Sequence, residues 1–195
     1  MAAVPAVAKT DSVILVLGDS LSAEYGLKRG EGWVALLDKK LLDEKVRVKV
    51  VNASISGDTT SGGRSRLPAL LAQHKPTLVV IELGGNDALR GLPMNMTQDN
   101  LSTLTTASQK AGAKVLLLGM QLPPNYGTDY SKKFFATYGA VAKEHKTALV
   151  PFFLLGVADH EDPLKMFQAD RIHPKAEAHP IMLANVWPEL KKLLK

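Results

Sequence analysis

Short apolar segments recur along the chain, separated by longer segments in which apolar and polar residues alternate with a helical period. The short runs lie at residues 13–17, 46–51, 78–83, 115–118 and 148–153. Runs that are apolar throughout are typical of strands buried on both faces. Between them, apolar residues fall on one helical face, as in the sets Trp33, Leu36, Leu37 and Leu41, and Tyr130, Phe134, Tyr138 and Val141. The pattern predicts an α/β protein in which helices flank a five-stranded parallel sheet.

Glycine and proline indicate where the helical segments end. Gly112 stands where a left-handed residue would close the third segment. Pro68 predicts a break in the second segment, because proline cannot continue the helical hydrogen bonds. Two prolines in residues 175–194 predict a turn followed by a short helix. Residues 89–97 and 123–130 are rich in Gly, Pro and Asn and predict surface loops.

The composition is that of one globular domain. The chain has 195 residues, of which 46% are hydrophobic and 22% charged, and it has no cysteine. A chain of this length buries a core without disulfides, and zero cysteine excludes thiolate metal sites and a cysteine nucleophile. We predict a single domain over residues 11–195, preceded by a flexible N-terminus at residues 1–10.

The N-terminal residues also bear on location. Ala6-Val7-Ala8 has the small-x-small form of a signal-peptidase site, although a ragged chain end is an equally good interpretation. We therefore expect a periplasmic or secreted protein that carries the remnant of an export signal. No apolar run approaches the roughly 18 residues of a spanning helix, so no membrane span is expected.

Charge gives little indication of a macromolecular partner. The net charge is +5, but the basic residues are spread along the chain and only 6% of residues are aromatic. Nucleic-acid-binding proteins usually cluster their basic residues, so no nucleic-acid partner is expected. We expect a monomer.

Polar clusters follow the first three predicted strands, at residues 18–22, 52–58 and 84–87. The carboxyl ends of parallel strands meet at one edge of a sheet, and ligands bind there. Each cluster taken alone is compatible with ordinary turns and helix caps. Three clusters at the same edge instead predict a functional site.

A fourth cluster contains Asp170 and His173. A carboxylate three residues before a histidine can hold the imidazole in one tautomer, as an orienting group does for a general base. A lone histidine is more often structural, but the paired carboxylate and the polar sheet edge favour catalysis.

The spacing of residues argues against nucleotide binding, metal binding and an ordinary α/β-hydrolase. Residues 57–64 superficially resemble a phosphate loop, but Gly63 stands where the lysine is needed. No Gly-x-Gly-x-x-Gly, His-Glu-x-x-His or Gly-x-Ser-x-Gly motif is present. We therefore expect no nucleotide, metal or other cofactor.

With these clusters the chain resembles the SGNH, or GDSL, hydrolases from about residue 13 onward. The blocks are Gly18-Asp19-Ser20-Leu21-Ser22, Gly57, Gly84-Gly85-Asn86-Asp87, and Asp170 with His173. The longer strings VNASISGD, ELGGND and LPPNYG are similar to the arylesterase-like thioesterase I, protease I and lysophospholipase group of Gram-negative bacteria. Arg171 is a departure, since that group commonly has glycine between Asp and His. The resemblance implies a three-layer, flavodoxin-like fold.

The resemblance also implies the catalytic roles. Ser20 would attack an acyl carbonyl, His173 would take its proton, and Asp170 would orient the imidazole. Physically this is reasonable, because a hydroxyl is a weak nucleophile that needs an adjacent, oriented base. The oxyanion hole would consist of the backbone N–H groups of Ser20 and Gly57 and the side-chain amide of Asn86.

The implied substrates are small carboxylic esters and thioesters, namely aryl esters, acyl-CoA and lysophospholipids, cleaved through an acyl-enzyme. Apolar residues at 88–96 and 120–126 are expected to form an acyl groove, because ligand pockets are mostly apolar. The residues expected to contact substrate are Asp19, Leu21, Asp87, Leu89, Leu122 and Pro123. Two alternatives stay open: a carbohydrate-specific deacetylase on the same scaffold, and a non-catalytic flavodoxin-like binding module.

Overall fold

The computed structural model describes residues 12–195, apart from the side chains of Pro124 and Pro163. The predicted flexible N-terminus and its Ala6-Val7-Ala8 sequence lie outside these residues. The strands are β1 (Ser12–Gly18), β2 (Val48–Asn52), β3 (Leu78–Glu82), β4 (Lys114–Leu118) and β5 (Ala148–Val150). They form one parallel sheet in the order β2-β1-β3-β4-β5. This is the flavodoxin-like order, so the predicted fold class is confirmed.

Helices connect the strands and cover the sheet. They are α1 (Trp33–Asp43), α2 (Thr60–His74), α3 (Gly85–Leu89), α4 (Met94–Lys110), α5 (Thr128–His145), α6 (Pro163–Met166) and α7 (His179–Leu193), with 3₁₀ turns at Pro124–Tyr126 and Ala176–Ala178. Helix α1 packs against α7, whereas α2, α4 and α5 pack side by side. The two groups cover opposite faces of the sheet.

Burial of the central strands explains their apolar sequences. Every residue of β3 is buried, and in β1 the residues from Ile14 onward are buried as well. Consecutive buried residues point to alternate faces of a strand, so both faces of the central sheet are covered. The edge strand β2 is only half-buried and carries Lys49 outward. The apolar face predicted for α1 is buried at Trp33, Leu37 and Leu41.

Two helix predictions were wrong, both at prolines. Helix α2 continues through Pro68, and α7 continues through Pro188 to a length of 15 residues. Both prolines are exposed, so water can bond the carbonyl group that each ring leaves without its helical partner. The predicted loops are also shorter than expected, because α4 begins at Met94 and α5 at Thr128. Gly112 follows α4 with a φ of 86°, as predicted.

Candidate active site

The strand order brings the polar clusters together at one edge of the sheet. Ser20 follows β1, Gly57 follows β2 and Asn86 lies in α3, directly after β3. Because β1 lies between β2 and β3, the three segments are neighbours at the carboxyl end of the sheet. The chain leaves β1 toward β2 on one side and then crosses to β3 on the other. Such a point of reversal opens a crevice in which ligands bind.

Ser20, His173 and Asp170 form a continuous chain of hydrogen bonds. The Nε2 atom of His173 lies 2.9 Å from Ser20 Oγ, and its Nδ1 atom lies 2.6 Å from Asp170 Oδ2. Asp170 Oδ1 accepts the backbone N–H groups of Ile172 and His173 at 2.9 and 3.0 Å. With Nδ1 donating to the carboxylate, Nε2 presents a lone pair to the hydroxyl. The arrangement can therefore take a proton from Ser20.

Asp170 is held in its charged form. Partial burial raises its pKa, but hydrogen bonds from the backbone and ring of His173 and from the Ile172 N–H outweigh burial and lower it to about 2. The carboxylate is therefore ionised throughout the neutral range, which lets it stabilise an imidazolium.

The backbone explains why a glycine would suit position 171. Arg171 has a φ of 60°, in the left-handed region where a side chain is unfavourable. Its N–H bonds the Gln168 carbonyl at 2.9 Å, and the Gln168 N–H bonds the His173 carbonyl at 2.8 Å. This tight turn sets the spacing of Asp170 and His173.

Two further residues support the imidazole, Tyr25 by direct contact and Gln168 through backbone groups on either side, and the sequence marks neither. The Tyr25 ring lies over the His173 ring, with centroids 4.2 Å apart and planes tilted by 35°. The Gln168 side-chain amide donates to the carbonyls of Tyr25 and Pro174 at 2.9 and 3.0 Å. No motif marks either residue, although Tyr25 lies in the segment that carries Ser20.

The expected oxyanion donors differ in their present partners. Within residues 12–195, the backbone N–H groups of Ser20 and Gly57 donate to no protein acceptor. The Asn86 Nδ2 atom donates to Asp19 Oδ2 at 3.0 Å and to the Asp58 carbonyl at 2.9 Å. Both amide hydrogens are thus engaged, and a substrate oxygen would have to share one of them. Arg90 fixes the Gly57 carbonyl through a 2.8 Å bond.

A cavity of about 540 Å³ opens beside Ser20 and His173. Of the expected substrate-contact residues it is lined by Asp19, Leu21, Leu89, Leu122 and Pro123, and Gly57 is not part of its lining. Its further lining is mainly apolar and includes residues from the segments after β4 and β5, namely Met120, Phe134, Phe152, Leu154, Leu164 and Phe167. Sequence reasoning had not pointed to residues 152–167.

Asp87 is a correction to the expected substrate contacts. Its side chain is fully buried and does not line the cavity. One carboxylate oxygen accepts the Thr60 N–H at 2.9 Å, and the other accepts the Thr60 hydroxyl. On α3, Asn86 and Asp87 are adjacent and so point in different directions, because neighbouring helical residues do not share a face. Asp87 therefore anchors the first turn of α2.

Residues 12–195 contain neither a cluster of metal ligands nor a membrane-spanning helix. No group of three or more His, Cys, Asp or Glu side chains in this range is arranged to hold a metal ion. No helix in this range is long and apolar enough to cross a membrane.

Comparison with known proteins matches residues 16–181 to the GDSL-like lipase/acylhydrolase family. Esterase TesA of Pseudomonas aeruginosa is 59% identical over 93% of this chain and 89% of its own length. An arylesterase of Vibrio mimicus is 43% identical over 97% and 93% of the two chains. Thioesterase 1/protease 1/lysophospholipase L1 of Escherichia coli is 43% identical over 93% and 84%. The crystal structure of TesA superposes with a TM-score of 0.90 at 58% identity, over 93% of this chain and 99% of that chain.

Proposed function

The chain belongs to the GDSL-like lipase/acylhydrolase family, and from this membership we propose that Ser20, His173 and Asp170 are the catalytic triad of a serine esterase. The enzyme hydrolyses carboxylic esters and thioesters. One observation carries the assignment of residues: the hydrogen-bond chain from Asp170 through His173 to Ser20 ends at an apolar cavity.

The reaction begins when Ser20 Oγ attacks the acyl carbonyl carbon as His173 Nε2 takes its proton. The carbonyl oxygen becomes an oxyanion, which the N–H groups of Ser20 and Gly57 and the amide of Asn86 stabilise. The imidazolium then gives its proton to the departing alcohol or thiol, leaving the acyl group on Ser20. Water then attacks the acyl carbon as the same imidazole takes its proton. The bond between Ser20 Oγ and the acyl carbon breaks, the imidazolium returns the proton to Oγ, and the carboxylic acid leaves.

The acyl chain of the substrate occupies the apolar cavity. Twelve of the side chains that line it are apolar and seven are polar or charged, a mainly apolar composition that suits an acyl chain. A carbohydrate would need many polar partners in this space, so the deacetylase alternative is not favoured. We place the leaving group outside the cavity, so its size is not restricted by the apolar lining. The substrate class therefore includes aryl esters, acyl-CoA and lysophospholipids.

The experiment that tests this function traps the acyl-enzyme analogue. A fluorophosphonate reacts with an activated serine, and peptide mass spectrometry identifies the modified residue. We expect a single adduct on Ser20, and for Ser20→Ala no adduct and a fall in kcat on an aryl acetate of about 10⁴-fold or more. Ser56→Ala is the matched control, since Ser56 is an exposed serine in a neighbouring loop. Labelling of another serine, or turnover by Ser20→Ala near that of the control, would refute the assignment.

We also propose that the enzyme acts in the periplasm or outside the cell, as a monomer. The proposed location is supported by the Ala6-Val7-Ala8 sequence, which has the form of a signal-peptidase site. Fractionation of cells that express the complete gene tests the location, and light scattering of the purified protein tests the oligomeric state.

A further inference from the structure

A buried pair of carboxyl groups lies directly behind Ser20, and the catalytic steps above do not use it. Glu82, the last residue of β3, is fully buried, and Asp19, which precedes Ser20, is only 3% exposed. Glu82 Oε2 accepts the Asp19 backbone N–H at 3.2 Å, so the two carboxyl groups are neighbours in one buried site. Two carboxylates so close together in a buried site repel each other strongly, so the pair holds at least one proton.

The hydrogen bonds around the pair indicate which group is protonated. Asp19 accepts on both oxygens, from the Leu21 N–H and from the Asn86 amide, each at 3.0 Å. Glu82 Oε2 accepts from Ser22 Oγ at 2.8 Å and from the Asp19 N–H at 3.2 Å. Glu82 Oε1, although buried, receives no hydrogen bond from any residue that the structure describes.

A buried, charged oxygen without a donor is costly, whereas a protonated one can donate. Oε1 of Glu82 is therefore the site of the proton. Burial raises the pKa of Glu82 well above its ordinary range, and the negative charge of Asp19 raises it further. Burial also raises the pKa of Asp19, to about 6, against its hydrogen bonds and the nearby His173.

We propose that Glu82 is a positioning residue for ester hydrolysis: as a neutral acid it accepts from the Ser22 hydroxyl and from the Asp19 N–H, and so holds Ser20 and, through Asp19, the Asn86 amide in place. The proposal rests on the triad and oxyanion hole proposed above. Glu82 reaches the nucleophile segment from both sides of Ser20, through Asp19 and Ser22. It reaches the oxyanion hole through Asp19 alone.

The proposal predicts an effect of alkaline pH. Loss of the Glu82 proton would place two negative charges side by side in a buried site, and Asp19 would move away and release Asn86. Tyr138 of α5 and His173 interact electrostatically with the pair. Two more charged groups lie nearby: Arg66 of α2, which bonds the Gly18 carbonyl, and Asp87 of α3, which acts on Tyr138.

Two substitutions separate this role from simple packing. Glu82→Gln is neutral at every pH, and its amide oxygen can still accept from the Ser22 hydroxyl and the Asp19 N–H. Glu82→Leu fills a similar volume but can do neither. We expect Glu82→Gln to keep kcat within about threefold, and Glu82→Leu to lower kcat by about 10- to 100-fold with little change in KM, less than the loss of a whole oxyanion donor.

The pH profile gives a readout that packing would not move. Wild-type kcat should decline at alkaline pH, and this decline should be absent in Glu82→Gln. Infrared spectroscopy gives a second readout, independent of activity and of the folding of Glu82→Leu: the C=O band of a buried protonated acid should be present in the wild type and lost in Glu82→Gln. Absence of that band, an alkaline decline that survives in Glu82→Gln, or a loss of kcat in Glu82→Gln as large as in Glu82→Leu would overturn the proposal.

Fluorophosphonate labelling of the wild type distinguishes failure of this proposal from failure of the proposed function, because only the latter would leave Ser20 unlabelled.

Discussion

Replacing Asp170 by Asn tests the triad with little change of shape. The Asn Oδ1 atom can still accept the N–H groups of Ile172 and His173, so the turn that carries the histidine is kept. The amide nitrogen replaces Oδ2, however, and donates to His173 Nδ1. The imidazole proton must then sit on Nε2, which donates to Ser20 Oγ and can no longer accept its proton.

The size of the effect follows from this tautomer change. In a serine protease of unrelated fold the equivalent substitution lowers kcat by about 10⁴-fold. The Asp170 side chain is 37% exposed, so solvent screens part of its interaction with the imidazolium. We therefore expect a loss of about 10³- to 10⁴-fold in kcat, which corresponds to about 4 to 5.5 kcal/mol of transition-state stabilisation. KM should change little, because Asp170 does not line the cavity.

The assay is steady-state hydrolysis of a p-nitrophenyl ester at neutral pH. Asp159→Asn is the matched control: it removes a carboxylate that lines the same cavity but does not contact His173, and it should stay within a few-fold of wild type. The reasoning would be refuted if Asp170→Asn kept more than about a tenth of wild-type kcat, or if the loss appeared in KM instead.

Three further predictions follow from the site. Asn86→Ala should lower kcat by about 100- to 1,000-fold with a smaller change in KM, because the amide acts on the oxyanion; a pure KM effect would make it a substrate contact instead. Tyr25→Phe should retain the ring over His173 and most of kcat, whereas Tyr25→Ala should lower kcat by a few-fold to about tenfold; equal rates for the two variants would deny the ring a role. The pKa of Asp170 is lowered to about 2 in the folded protein, so its stabilisation is present above about pH 4 and is lost as pH falls toward 2. The free energy of unfolding of Asp170→Asn, measured with denaturant, should accordingly fall less over this range than that of the wild type.

The sequence predicts the sheet and the polar cluster at its edge because both depend on local signals. A strand buried on both faces needs consecutive apolar residues, and the strand ends carry compact polar motifs that only a few chemistries explain. Asp87 was wrongly expected to contact substrate. Its motif places the residue near the site but does not indicate the direction of its side chain. Tyr25, Gln168 and Glu82 act through contacts between distant segments, which no spacing encodes. The prolines were misread because the cost of a lost helical bond depends on solvent exposure, a property of the folded molecule.

The bond between Ser20 and His173 joins residues 153 positions apart in the chain. The proposed nucleophile follows the first strand, whereas the proposed base lies just before the last helix, so their contact forms only when both ends of the chain have packed onto the sheet. Closing so long a loop costs conformational entropy, and only the packing of the surrounding sheet offsets that cost. During refolding, hydrolytic activity should therefore return with the slowest structural phase, after helical circular dichroism has recovered. The enzyme's turnover thus serves as a stringent indicator that the whole domain, and not only its central strands, has reached the native state.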